Sequence, residues 1–175
     1  FDLENWVDYR TDTNPGELYV PVIPPVGEKG MYFRVLVTGK GYSDNIVGYQ
    51  LLDVPTGRSL LSNPLARSDN TLATLLPGGP TKLTISTWDS DSGSWKASTF
   101  GDAWSDAGLV VAPGQAAMFD NKTGAPLTLQ FTGEVVQGGL STTVPSGDSY
   151  LAATLPIAGG LATNFGFPTA SGLQV

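Results

Sequence analysis

Four carboxylates and four large aromatic residues share one short tract of this chain. Asp89, Asp91, Asp102 and Asp106 are interleaved with Trp88, Trp95, Phe100 and Trp104. Two carboxylates flanking a bond are the machinery of glycoside cleavage. Aromatic faces also stack on sugar rings, so Trp88, Trp95 and Trp104 are candidates for a sugar-binding surface. The same residues read equally as turn aspartates beside hairpin and core aromatics. We adopt that plainer reading for the acids and keep the sugar surface as an alternative. Asp89-Ser-Asp-Ser-Gly93 opens like an oxygen-rich calcium loop. Such a loop needs a distal bidentate acid, and the position that should carry it is Phe100. A turn is therefore expected, and no metal site.

Other chemistry is limited by what the sequence lacks. It contains no Cys and no His, which removes disulfides, thiolate and imidazole metal ligands, and nucleophiles that depend on either residue. No Ser lies in a Ser-x-x-Lys arrangement. The Gly-rich tracts at 77–80, 138–139 and 159–160 match no phosphate-binding loop. No catalytic residue and no cofactor is expected. Asn121-Lys-Thr123 is a formal glycosylation acceptor, expected to serve instead as a turn at a hairpin tip. The net charge of −7 and the scattered Lys and Arg give no basic stripe to displace phosphate counterions, so nucleic acid is not an expected partner. No apolar run has the roughly 18–20 residues of a membrane span.

The elements that must position these residues are strands. Gly (22) and Pro (13) are abundant among the 175 residues, and both are costly inside helices. Alternation and β-branched content predict strands over 31–37, 46–54, 59–62, 82–88, 95–100, 115–120, 126–136, 139–144, 149–154 and 172–175, with one helical turn in 70–76. The 82–88 and 95–100 strands form a hairpin flanked by Trp88 and Trp95. Turn signals recur as in a sandwich or barrel. The expected fold is all-β, sandwich or barrel-like, with an extended N-terminal arm over 1–30 and a β domain over 31–175. The chain starts at Phe1, as a processed chain or a piece of a longer one would. The arm carries Leu18, Tyr19, Val20, Val22, Ile23 and Val26, stiffened by Pro21, Pro24 and Pro25. It is too apolar for a solvated linker and too proline-rich for a central strand.

A pseudo-repeat of about 90 residues is the main long-range pattern. Val54-Pro-Thr-Gly-Arg-Ser-Leu-Leu61 matches Val144-Pro-Ser-Gly-Asp-Ser-Tyr-Leu151, and Leu83 and Ile85 match Leu173 and Val175. The units run from about 45 to 131 and from 132 to 175, the second one truncated. Its C-terminal strand, with Leu173 and Val175, lacks the hairpin mate present in the first unit. That leaves an edge open to strand addition from another copy.

Several phrases together carry a resemblance: Val54–Leu65, Val111-Ala-Pro-Gly-Gln-Ala-Ala-Met-Phe-Asp-Asn121, Leu127–Gly138, Leu155-Pro-Ile-Ala-Gly-Gly160 and Gly166-Phe-Pro168. Over roughly 46–175 the chain resembles a β-rich domain of secreted bacterial surface proteins of undetermined function. The resemblance implies secretion and an extracellular or cell-surface location, and it brings no catalytic residues. The expected function is a non-catalytic structural subunit, with copies of itself as partners. It would assemble into a filament, tube or surface layer through the arm and strand-edge pairing. The alternatives are a carbohydrate-binding module with polysaccharide as partner and a viral capsid or tail protein.

Overall fold

Alternation along the last strand among the described residues sets the architecture. In β9 (Leu127–Glu134), Leu129 and Phe131 are buried while Thr128 and Gln130 are exposed, so one face of the strand points at a core and the other away. The computed structural model describes residues 27–138, 140–141, 144 and 146–156. Before β9 come β1 (Gly30–Phe33), β2 (Leu36–Val37), β3 (Gly41–Tyr42), β4 (Val47–Val54), β5 (Gly57–Ser62), the single helical turn α1 (Leu72–Leu75), β6 (Leu83–Asp89), β7 (Ser94–Thr99) and β8 (Ala116–Asn121).

These strands form two antiparallel sheets and a small ribbon. One sheet has the order β1-β4-β9, the other β5-β8-β6-β7, and β2 and β3 pair as a separate ribbon among the described residues. The core lies between the two sheets. Val54, Leu129 and Phe131 come from the first, and Leu83, Ile85, Ala117 and Phe119 from the second. Leu72, Leu75 and Leu76 around α1 close one side, joined by Trp104, Leu109 and Val111. A helix this short has no stability of its own. It is held by Leu72 and Ala73, whose amides donate to the carbonyls of Leu109 and Ala107. The expected all-β sandwich-like fold is the observed one.

The chain crosses between sheets twice at one corner, from β4 to β5 and from β8 to β9. Asn121 sits where they meet, opposite Gly57 on one side and Leu83 on the other. Its side chain is buried. Nδ2 donates to the carbonyls of Val54 (3.2 Å) and Ala125 (2.9 Å), and Oδ1 accepts from the Thr123 amide (3.0 Å) and hydroxyl (2.8 Å). The expected hairpin tip at 121–123 is thus corrected: it is a turn, but the strands it joins lie in different sheets. The nitrogen a glycan would need is buried and engaged.

Three strand expectations also change. The 31–37 run breaks at Arg34-Val35, because Phe33 opposite Val47 is the last pair with β4 and the chain then turns to β3. Among the described residues of 139–144 there is no strand, and 149–154 contributes one bridge, Leu151 to Gln115. The repeated phrase shares its turn glycine, Gly57 at φ 84 and Gly147 at φ 89, but not the strand that follows. Residues 1–26 of the expected arm and the 172–175 segment lie outside the described residues; of residues 27–30, Gly30 already begins β1 and the Lys29 carbonyl accepts from the Leu51 amide.

Replacing Asn121 by Ala takes the side-chain partner from the Val54 carbonyl and from the Thr123 amide, while the exposed Ala125 carbonyl keeps its bond from the Thr123 hydroxyl. Each group left without a partner costs about 1–3 kcal/mol. The urea midpoint of Asn121→Ala should fall by an amount equivalent to at least about 2 kcal/mol; a change below about 0.5 kcal/mol would place the corner outside the cooperative unit.

Candidate functional site

The β6–β7 hairpin places Trp88 directly across from Trp95 on the solvent side of its sheet. The indole centroids are 5.5 Å apart at 68°. Tyr150, which the sequence reading did not single out, completes the group at 5.6 Å from Trp88 and 4.6 Å from Trp95. Such edge-to-face and tilted contacts suit the ring quadrupoles. The three rings engage one another and are each half-buried. They fasten the chain that returns after residue 146. Trp88 Nε1 donates to the Asp148 carbonyl (2.9 Å), the Ala116 amide to Tyr150 (3.0 Å) and the Ala152 amide to Gly114 (3.1 Å).

Trp104 lies elsewhere. It is 7% exposed and belongs to the core cluster. Its Nε1 donates to the Leu76 carbonyl at 2.7 Å, and it meets Phe100 edge-on at 5.2 Å. Any side chain at Gly79 would come within 2.7 Å of its ring. The three tryptophans therefore form no single surface, and Trp104 is corrected from a candidate sugar contact to a packing residue.

The acids separate in the same way. Asp89 and Asp106 line one cleft of about 450 Å3 with Thr87, Lys96, Leu109 and Gln115; Asp91 and Asp102 do not line it. Lys96 Nζ lies 2.7 Å from Asp89 Oδ2, and Asp89 Oδ1 accepts from the amides of Asp91 and Ser92. Both oxygens of the first acid of the calcium-like phrase are thereby committed to a turn and an ion pair. Among the described residues no group of three or more Asp or Glu is placed to hold a metal. The Lys96 hydrogen bond, followed by those from Ser92 and Asp91, holds the Asp89 carboxyl down at about 2, while Asp89 pushes Lys96 up. A general acid needs the opposite displacement.

The larger depression, about 960 Å3, lies on the outer face of the β1-β4-β9 sheet and is lined by Phe33, Val47, Tyr49, Arg67, Thr132 and Glu134 among others. Arg67 donates to the Thr132 hydroxyl at 3.0 Å. Tyr49 is 7% exposed although it points away from the core, and its hydroxyl has no partner among the described residues. Burial first, and the Glu28 charge second, push its pKa up.

The four-stranded sheet ends in β5 and β7, each hydrogen-bonded on one side only among the described residues. Beside β7, Lys96 is a charged edge guard. Beside β5, Leu60 is 48% exposed. Leu18, Tyr19, Val20, Val22, Ile23, Val26, Leu173 and Val175 lie outside the described residues. No helix among the described residues is long and apolar enough to cross a membrane. No family model, no curated protein and no solved structure matches the chain.

Two outcomes follow. Tyr150→Ala should release the 148–152 passage: amide exchange at Ala116 and Ala152 should quicken, while that of Phe119 and Phe131 stays slow. Equal loss of protection at all four would mean that the passage is part of the global fold. The second concerns pH. A carboxyl whose folded pKa lies below its unfolded value of about 3.9 contributes stability above that value and loses it as pH falls toward the folded one. The urea midpoint should therefore drop between about pH 4 and pH 2, and Asp89→Asn should flatten part of that drop. Because Lys96 is 63% exposed, the effect should be small and should shrink in salt. An undiminished slope in the variant would remove the ion pair from the balance.

Proposed function

We propose that this chain is a non-catalytic structural subunit of an extracellular or cell-surface assembly, a filament, tube or layer in which copies join by strand-edge pairing. The carrying observation is the open β5 edge. Six residues, Gly57–Ser62, pair with β8 alone among the described residues, and Leu60 is exposed beside them. Arg58 is the one charge on this strand, 3.5 Å from Asp120, and an open edge of this kind is a template for another strand. A heterologous contact that does not close on itself propagates into an open helical polymer.

The chemistry at the other places supports the same reading. The aromatic group fastens the chain to itself, and Asp89 is held ionised by Lys96. Secretion rests on the resemblance to surface-protein domains. A carbohydrate-binding module is less well supported, because Trp104 is in the core and the other two tryptophans pack with Tyr150.

Negative-stain micrographs and sedimentation across a concentration series test this. Polymers are expected, and Leu60→Lys should raise the concentration at which they appear by about tenfold or more, equivalent to about 1.4 kcal/mol per contact. A chain that stays monomeric at every concentration overturns assembly. Polymers indifferent to Leu60→Lys overturn the β5 edge as their contact.

A further inference from the structure

Five of the nine exposed large apolar residues among the described ones lie close together: Val35, Leu36, Val37, Tyr42 and Val47, between 45% and 52% exposed. Four of them stand on or beside the β2–β3 ribbon. Leu36 is opposite Tyr42, and Val37 is opposite Gly41. Successive side chains of a strand point to opposite sides, so Leu36 and Tyr42 share one face while Val35 and Val37 take the other. A two-stranded ribbon is marginal by itself in water, and this one has two residues in each strand. The patch amounts to roughly 400 Å2, a size that marks a contact on a soluble protein. A standard contact covers about 800 Å2 on each partner and is a little over half apolar. The ribbon patch is thus the apolar share of one such contact.

The ribbon also has an open hydrogen-bonding edge. The Val35 carbonyl accepts from the Ser43 amide and the Val37 carbonyl from the Lys40 amide, so both turn toward β3. The Leu36 amide and carbonyl, between them, turn the other way, to an edge with no strand beside it among the described residues. The β5 edge matches this pattern. It pairs with β8 alone among the described residues. Leu60 is 48% exposed on its outward side, and Leu61, on the other face, packs at the rim of the core. A strand added there needs apolar residues on both faces, and Val35-Leu36-Val37 carries them. Leu36 and Leu60 are both half exposed in the same molecule, so ribbon and edge do not meet within one chain.

Charge sets the direction of pairing. With Leu36 across from Leu60, a parallel arrangement puts Arg34 against Arg58, and like charges directly opposite are destabilising. The antiparallel one puts Arg34 against Ser62 and leaves Arg58 to Asp120, 3.5 Å away. We propose that the β2–β3 ribbon of one copy is the strand donor for the β5 edge of the next, antiparallel, with Leu36 across from Leu60. The proposal rests on the reading that copies assemble through the β5 edge, and it names the strand that edge receives. Donor and acceptor are different surfaces, so each added copy brings a new free one of each kind, as an open polymer requires.

The sequence has no cysteine, so two single-cysteine variants of the full chain, one bearing an affinity tag, can be joined only at chosen places. Leu60→Cys is mixed with Val35→Cys, Leu36→Cys or Val37→Cys, left to assemble and mildly oxidised. Opposed strand residues have Cα atoms about 4.5–5.5 Å apart, within reach of a disulfide. A mixed disulfide is expected for at least one ribbon position, in excess over both homodimers. None is expected when Ala97→Cys on β7 replaces Leu60→Cys. Leu36→Lys should also raise the concentration at which polymers appear by about tenfold. Polymers that Leu60→Lys weakens, but that ignore Leu36→Lys or give no mixed disulfide at any ribbon position, overturn the ribbon as donor and leave the edge in place. Equal yield with Ala97→Cys, or an excess of Leu60→Cys homodimer, does the same. A chain that stays monomeric at every concentration overturns the assembly itself, and the ribbon contact with it.

Discussion

One buried amide holds the corner on which the sandwich depends. At Asn121 the chain passes from sheet to sheet in two places, and two sheets can enclose a core only if their connections are fixed relative to each other. A hydrophobic residue there would take the side-chain partners from the Val54 carbonyl and the Thr123 amide, while the exposed Ala125 carbonyl would keep its bond from the Thr123 hydroxyl. The opposite end repeats the device. Asn63, fully buried, donates to the Val111 carbonyl and accepts from the Leu65 amide. Neighbouring Asn70, in a left-handed conformation at φ 51, accepts from the Arg67 amide. Buried backbone groups must be paired, and here side-chain amides pair them where no strand can.

Between those corners the energetics are ordinary. Phe119 and Phe131 face each other's sheets with Leu83, Ile85 and Leu129 around them, and burial of such side chains is the main stabilising term. The site-like features at the periphery serve the same end. Trp104 caps α1 through the Leu76 carbonyl, and the Trp88, Trp95 and Tyr150 group fastens the returning chain. Trp104, Asp89 and the Trp88, Trp95 and Tyr150 group are each engaged in packing, a turn or an ion pair.

The sequence made the local elements legible and left their grouping hidden. β4, β6, β7, β8 and β9 lie within a residue or two of the alternating runs, since a half-buried strand writes its period into the chain. The β6–β7 hairpin was readable because Asp89 to Gly93 has turn chemistry and matching tryptophans flank it. That β8 and β9 part into different sheets was not readable: they are adjacent in sequence, and the side chain at their parting has one partner, the Val54 carbonyl, 67 residues away. The 149–154 run alternates as a strand should, yet finds only the end of β8 to pair with. Trp104 and Trp88 look alike in composition, and only tertiary packing separates the buried one from the half-buried ones. Tyr150 was missed because no local signal ties it to residue 88.

The aromatic group at the mouth of the hairpin has a spectroscopic consequence. Two indoles 5.5 Å apart at a steep mutual angle are close enough for their ultraviolet transitions to couple, giving a paired positive and negative circular dichroism band that separated rings lack. Because Tyr150 rides on the returning passage, that couplet reports the fastening of this one stretch of backbone, with no label attached.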